Sequence, residues 1–293
     1  MAADYIMANK PSADRQQIEA TWDRIAADFP VLPEKEICVN DVVFRVVHAP
    51  WTPDREPKVY IKTGLNFLAW ARIAGVRYRF VLQPLDTLGG GKRWEIRYGD
   101  IVDWIIWANH MFQMVTLSTM KSGAGFPLDV HGQSVPFIRS KTGSALADVG
   151  GKVLAQYEEM PRFRELEIRL LDKYPALGIR IIGKDTIESL HQVAEKTYEL
   201  AVNYDNLKAF NLVILPGHGY RGDVVFFPRR KDGRSIYGEE RWQIAGLEFA
   251  GLLLCREEEK FARMNAEMVA KVFESVRISR TEMEEVISLL HTF

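Results

Sequence analysis

Lys121-Ser-Gly-Ala-Gly-Phe-Pro-Leu-Asp-Val-His-Gly-Gln133 is a loop of small residues that runs directly into an alternating polar segment. If residues 128–134 form a strand, successive side chains alternate between faces. Asp129, His131 and Gln133 then share one side, and Val130, Gly132 and Ser134 take the other. An imidazole stands between a carboxylate and a carboxamide, beside a bend whose backbone N–H groups can cradle a phosphate. Such an imidazole can attack phosphorus while its neighbours orient it and hold the phosphoryl oxygens. Taken alone, the same spacing also describes an ordinary polar edge strand.

Upstream, Val115–Met120 reads as a strand leading into this loop. Asp100 can cap a helix over Ile101–Gln113, whose Trp104, Ile105, Trp107, Met111 and Phe112 call for burial. Further back, β-type runs occupy Ile37–Val47, Val59–Lys62 and Val76–Gln83, and a Gly89-Gly-Gly91 turn precedes another over Arg93–Tyr98. Ser12 precedes apolar residues at Ile18, Trp22, Ile25 and Phe29, the spacing of an amphipathic N-terminal helix that ends before Pro30.

Downstream, Arg139–Gly151 reads as a loop, with helices or turns around 152–158 and 162–173 and a short strand at Ile179–Ile182. Asp185-Thr-Ile-Glu188 has capping-box spacing and opens a helix to about Asn203. Phe210–Leu215 and Asp223–Pro228 form two strands around the turn Pro216-Gly-His-Gly219. Residues 242–274 read as a broken helical stretch, and Ser279 with Glu282 caps a last helix. The mixture predicts an α+β fold around a largely antiparallel sheet, read as one domain over 1–293 with an N-terminal helix and a C-terminal helical extension.

The chain has 293 residues, 47% hydrophobic and 26% charged, as expected of a soluble globular protein. Its 38 basic and 39 acidic residues leave a net charge of −1, so no global field favours nucleic acid or an acidic membrane. Cys38 and Cys255 are too few and too far apart for a disulfide framework or a cysteine-based zinc site. The first residues lack a basic segment followed by an apolar core, and no apolar run is long enough to span a bilayer. A cytoplasmic protein is the expectation.

Asp129-Val-His-Gly-Gln133 resembles the H-x-H-x-Q signature of the transferase and phosphorylase branch of the histidine-triad (HIT-like) superfamily. That branch holds galactose-1-phosphate uridylyltransferase, diadenosine tetraphosphate phosphorylase and the GDP-hexose phosphorylases. Ser122-Gly-Ala-Gly-Phe-Pro127 is similar to the branch's phosphate-side loop. Phe210-Asn-Leu-Val-Ile-Leu215, Val224-Val-Phe-Phe-Pro-Arg229 and Trp242-Gln-Ile-Ala-Gly-Leu-Glu-Phe-Ala-Gly-Leu-Leu253 follow the order of a second set of motifs in the phosphorylases.

The resemblance implies nucleotidylyl transfer through a covalent nucleotidyl-histidine, with His131 as the nucleophile. It places Gln133 on the phosphoryl oxygens, and Lys121, Ser122, Gly123 and Gly125 in the phosphate loop. It implies a nucleotide or nucleotide-sugar substrate, a phosphate or sugar-phosphate acceptor and no cofactor, and it leaves a homodimer open. Rival readings are a nucleotide hydrolase of the same fold and a catalytically inactive nucleotide- or sugar-phosphate-binding protein.

Three positions depart from the branch pattern. Asp129 stands where the first histidine belongs, and can orient His131 or repel a phosphate dianion. Gly125 replaces a phosphate-contacting serine, and the cysteine and histidine zinc ligands of the uridylyltransferases are missing. Beyond the signature, Arg229 is either a phosphate ligand or a solvated strand end, and Arg230 is more readily the latter. His48 is a candidate for contact with a base, His218 for an exposed turn, and His110 for a core position on its helix.

Overall fold

The valine-rich run at 37–47 is a hairpin rather than one strand. Asn40 and Asp41 adopt φ of 51° and 68°, so the chain turns within two residues between β1 (Glu34–Val39) and β2 (Val42–His48). Positive φ at both central residues is the signature of a tight hairpin whose twist matches that of its strands. Lys173 holds the turn from outside: its carbonyl accepts from Asn40 Nδ2, and its Nζ lies 3.2 Å from Asp41 Oδ2.

The computed structural model describes residues 33–48, 58–62, 67–73, 76–78, 98–111, 114–121, 128–135, 151–155, 164–203, 209–230, 234–237, 240–244, 246–255 and 257–290. The predicted N-terminal helix lies outside these. After the hairpin come β3 (Lys58–Lys62), β4 (Phe67–Ile73) and β5 (Val76–Tyr78), which form a small antiparallel sheet. Helix α1 (Tyr98–Met111) leads into β6 (Met114–Lys121) and β7 (Leu128–Val135). Then follow β8 (Lys152–Ala155), β9 (Leu166–Leu171), β10 (Gly178–Gly183), α2 (Ile187–Asn203), β11 (Ala209–Ile214) and β12 (Asp223–Arg229). The C-terminal part holds β13 (Arg234–Tyr237), β14 (Glu240–Gln243), α3 (Gly246–Phe249), β15 (Leu252–Cys255), α4 (Glu258–Arg263), α5 (Ala266–Val276) and α6 (Arg280–Leu290).

Two expectations are corrected here. Residues 152–155 and 166–171 are strands, not helices or turns, because Leu166 and Ile168 alternate with Glu167 and Arg169 at the period of a sheet. The stretch 242–274 is interrupted by β15, which pairs in parallel with β2 through partners some 200 residues upstream. Among the predicted helix starts, the Ser279–Glu282 box is reciprocal as written: Ser279 N–H donates to Glu282 Oε2 at 2.7 Å, and Glu282 N–H to Ser279 Oγ at 3.1 Å. For α2 the cap shifts by one residue. Thr186 Oγ1 accepts from Ser189 N–H at 3.0 Å, while Asp185 accepts from Tyr220 N–H at 2.6 Å in the β11–β12 turn.

The central element is a seven-stranded antiparallel sheet in the order β7-β6-β11-β12-β10-β9-β8. Strand alternation divides its side chains between two cores. Phe210, Leu212, Ile214, Val224 and Phe226 pack with α1, α2 and α6 on one side, through residues such as Trp104, Val193 and Val286. Val213, Val225 and Phe227 face the other way, toward the β1–β2–β15 sheet, α3 and α5. In that second core, rings of Phe44, Tyr174, Phe227, Phe249 and Phe273 lie within contact of one another. Tyr174 is fully buried, and its hydroxyl donates to the Phe249 carbonyl at 2.7 Å.

Gly178 gives way to this aromatic cluster. A Cβ there would stand 2.5 Å from Cε1 of Phe227, whose ring is hemmed in by Tyr174 at 5.4 Å and Phe249 at 4.9 Å. Gly178→Ala is therefore expected to lower stability by about 1–3 kcal/mol through overpacking. Equilibrium urea denaturation checks this, and an unchanged midpoint would contradict it.

Candidate active site

The predicted strand over 128–134 is β7, and it pairs along its length with β6. The register fixes which positions share a face, because residues directly opposite in an antiparallel pair lie on the same side of the sheet. His131 is opposite Ser118, Ser118 opposite Asn211, and Asn211 opposite Phe227. Asp129 continues through Met120 and Ala209 to Arg229. Gln133 continues through Thr116 and Val213 to Val225. Since Val213, Val225 and Phe227 belong to the second core, positions 129, 131 and 133 fall on that face of the sheet. The helical layer lies on the opposite side.

Three sequence candidates thus share one face of one strand, and Arg229 shares that face three strands away. Adjacent strands lie about 4.8 Å apart, so positions 129 and 229 are separated by roughly 14 Å, a span that a polyphosphate and an arginine side chain can cover together. Arg229 is 5% exposed, so it is not a solvated strand end. Its Nη1 donates to the Ile244 carbonyl at 3.4 Å, and burial lowers its pKa to about 10, which keeps it cationic at neutral pH. The neighbouring Arg230 is exposed, with its backbone N–H on the Val276 carbonyl at 2.9 Å. That bond ties the end of β12 to the end of α5.

The other candidates are placed less closely. Lys121 ends β6 opposite Leu128, and its side chain is outside the described residues, as are Ser122, Gly123 and Gly125. His48 ends β2, half-buried, its ring stacked on Phe261 of α4 at 5.7 Å. His218 is exposed on the β11–β12 turn, and the side chain of His110 is outside the described residues.

Sequence reasoning passed over Asn109, which sets that turn. Its Nδ2 donates to the carbonyls of Gly219 and Arg221 at 3.0 and 2.8 Å, and its Oδ1 accepts from Gly217 N–H at 2.7 Å. Gly219 sits at φ +55°, with the Asp185 carboxylate where a Cβ would be. No local signal in the sequence marks Asn109, because its partners lie more than 100 residues downstream. Asn211 and Glu248 were also passed over as individual residues. Both are buried polar groups in the second set of motifs, and α3, which carries Glu248, packs on β11, β6 and β7. Among the described residues, no helix is long and apolar enough to cross a membrane.

Comparison with known proteins adds two findings. Residues 153–292 match the family described as GDPGP1-like, C-terminal domain. That span takes in the second set of motifs but not β6 and β7. The crystal structure of yeast Ap4A phosphorylase Apa2 resembles this chain with a TM-score of 0.55 at 11% identity, over 90% of this chain and 97% of that one. The same yeast protein with AMP gives 0.53 at 12% over 91% and 97%, and with Ap4A 0.51 at 12% over 90% and 98%. No curated protein sequence matches. At such identities the likeness is one of fold, and it agrees with the α+β, largely antiparallel architecture expected from the sequence. Residues 153–292 are thus similar to the GDPGP1-like C-terminal domain family, on a chain whose fold is that of the histidine-triad-like phosphorylases.

Proposed function

We propose that this protein is a nucleotidyltransferase of the phosphorylase type, acting on a nucleoside diphosphate sugar or a dinucleoside polyphosphate. The observation that carries the reading is the β6–β7 register, which sets positions 129, 131 and 133 on one sheet face with Arg229 on the same face. Support also comes from the yeast phosphorylase of like fold, whose structures hold AMP and Ap4A. One continuous sheet takes β6 and β7 from before residue 150 and β8–β12 from after it, which supports reading the chain as a single unit.

In the first half-reaction a ring nitrogen of His131 attacks the α-phosphorus. The bond to the bridging oxygen breaks, and a sugar phosphate or nucleoside polyphosphate leaves with that oxygen. In the second, an oxygen of inorganic phosphate attacks the same phosphorus, the P–N bond breaks, and a nucleoside diphosphate departs. Gln133 and the loop at 121–125 hold the phosphoryl oxygens as charge develops on them. A neutral carboxamide at 133 stabilises that charge without adding an acid or base to activate water. Arg229 neutralises the far end of the phosphate chain, and His48 contacts the base.

The test uses substrates labelled at the α-phosphorus. Acid-labile label should appear on the protein without acceptor, and turnover should begin only when phosphate is added. Turnover at the same rate in water alone would make the protein a hydrolase. Tight nucleotide binding with no covalent label would make it a binding protein, the outcome that Asp129 in place of a histidine would favour.

A further inference from the structure

The β1–β2 hairpin turns one face toward the second core, and that face changes character at its far end. Ile37 and Val39 on β1 lie opposite Phe44 and Val42, all of them buried and apolar. The next positions on the same face are Lys35, opposite the buried Val46, and His48, two residues beyond Val46. Both are half-buried. As diagonal neighbours they are near enough for their side chains to reach a common partner.

That partner is Phe261 of α4. The His48 ring stacks on it with centroids 5.7 Å apart and 26° between the planes, and Lys35 Nζ stands 5.0 Å from its centroid. Lys35 Nζ also donates to the Ala262 carbonyl at 3.1 Å. Helix α4 has six residues and buries none of them, and its N-cap Glu257 makes no side-chain capping bond. Phe261 packs half-buried against the rim of the second core. An aliphatic residue at 35 would continue the pattern of Ile37 and Val39, whereas the lysine brings an ammonium to a pair of rings that keep accessible surface.

From this cluster we infer that Lys35, His48 and Phe261 form the site that holds the nucleobase, and that Lys35 selects a keto base, guanine or uracil, over an amino base, adenine or cytosine. The inference rests on the reading of the protein as a nucleotide-binding enzyme, and it adds Lys35 and Phe261 to His48. Stacking accepts every base, because each has a π-face, so discrimination comes from the base edge. One of the three N–H donors of Lys35 is on Ala262, which leaves two for an acceptor. Guanine and uracil present a carbonyl oxygen at the position where adenine and cytosine carry an amino group. An ammonium donates to the first and meets only N–H donors on the second.

Equilibrium binding of GMP, AMP, UMP and CMP to the whole chain tests this, with ribose 5-phosphate as a probe that lacks a base. The wild-type protein should hold GMP more tightly than AMP, and UMP more tightly than CMP, by on the order of tenfold, as a hydrogen bond to a charged group provides. Lys35→Met keeps the unbranched stem without the charge, and should remove both preferences. Phe261→Leu should weaken all four nucleotides by on the order of tenfold or more and leave the preferences in place. Phe261→Trp, which restores a ring, should recover the affinity. Ribose 5-phosphate should bind all of these proteins alike.

A wild-type protein without either preference, preferences that survive in Lys35→Met, or nucleotide affinity unchanged in Phe261→Leu would overturn the base site and leave nucleotide binding standing. A parallel loss of ribose 5-phosphate would assign the effect to the fold and overturn it as well. A wild-type protein that binds none of the four nucleotides would overturn the nucleotide reading itself, so the two failures are distinguishable.

Discussion

His131→Ala is expected to leave no acid-labile nucleotide on the protein, and to lower phosphorolysis by roughly 10⁴–10⁶-fold, the range seen when a nucleophile or its partner is removed from a unit that works together. The effect on the fold should be small. β7 ends the strand order of the central sheet, and its backbone pairing with β6 does not depend on the side chain at 131. Gln133→Ala, which removes a donor and keeps the nucleophile, should label on the order of 10²-fold more slowly and still reach full occupancy. A His131→Ala protein that labels and turns over like the wild type would end the assignment, wherever else the nucleotide bound.

Local pattern carries the elements that make up the site, and long-range pairing carries their arrangement. The alternation over Leu128–Gln133 is enough to put three polar residues on one side of a strand, and β7 is that strand. Phe210–Leu215 and Asp223–Pro228 are apolar runs around a glycine-bearing turn, and they become the adjacent pair β11 and β12. The face those strands turn toward Arg229 is not legible, since Asp129 and Arg229 meet in one row only through β6 and β11.

Other misreadings have their own physical causes. Glu167 and Arg169 favour a helix by propensity, yet they pair across strands with Ile182 and Arg180, and this tertiary context overrides propensity. Leu252–Cys255 is an apolar run too short for its period to be read, and its partner is β2. At 185–188, two residues in succession can cap. Thr186 does so because the β11–β12 turn engages Asp185. Thus Asn109, which no local signal marks, and Asp185, which reads in sequence as a helix cap, set the turn that joins the two central strands.

Asp223→Ala should be the most destabilising of the substitutions considered, by about 3–5 kcal/mol, the cost of removing one partner from a buried ion pair. Arg180 meets Asp223 through both carboxylate oxygens, Nε to Oδ1 at 2.9 Å and Nη2 to Oδ2 at 2.7 Å, with side chains only 11% and 8% exposed. The planar fork of a guanidinium matches a carboxylate in this geometry, and few other partners can replace it. The pair joins β10 to β12 on the sheet face that carries positions 129, 131 and 133, since Arg180 is opposite Val225 and Asp223 opposite Ile182. An alanine at 223 takes the two hydrogen-bonded carboxylate oxygens away from a guanidinium that stays buried beside the second core. Replacing both residues together, Arg180→Met with Asp223→Leu, should recover most of the loss, because a well-packed apolar pair often equals a buried ion pair in stability. Equilibrium denaturation of the single and double variants distinguishes the cases. A single variant within 1 kcal/mol of the wild type, or a double variant as unstable as the single, would show that the cost does not come from an unpaired buried charge.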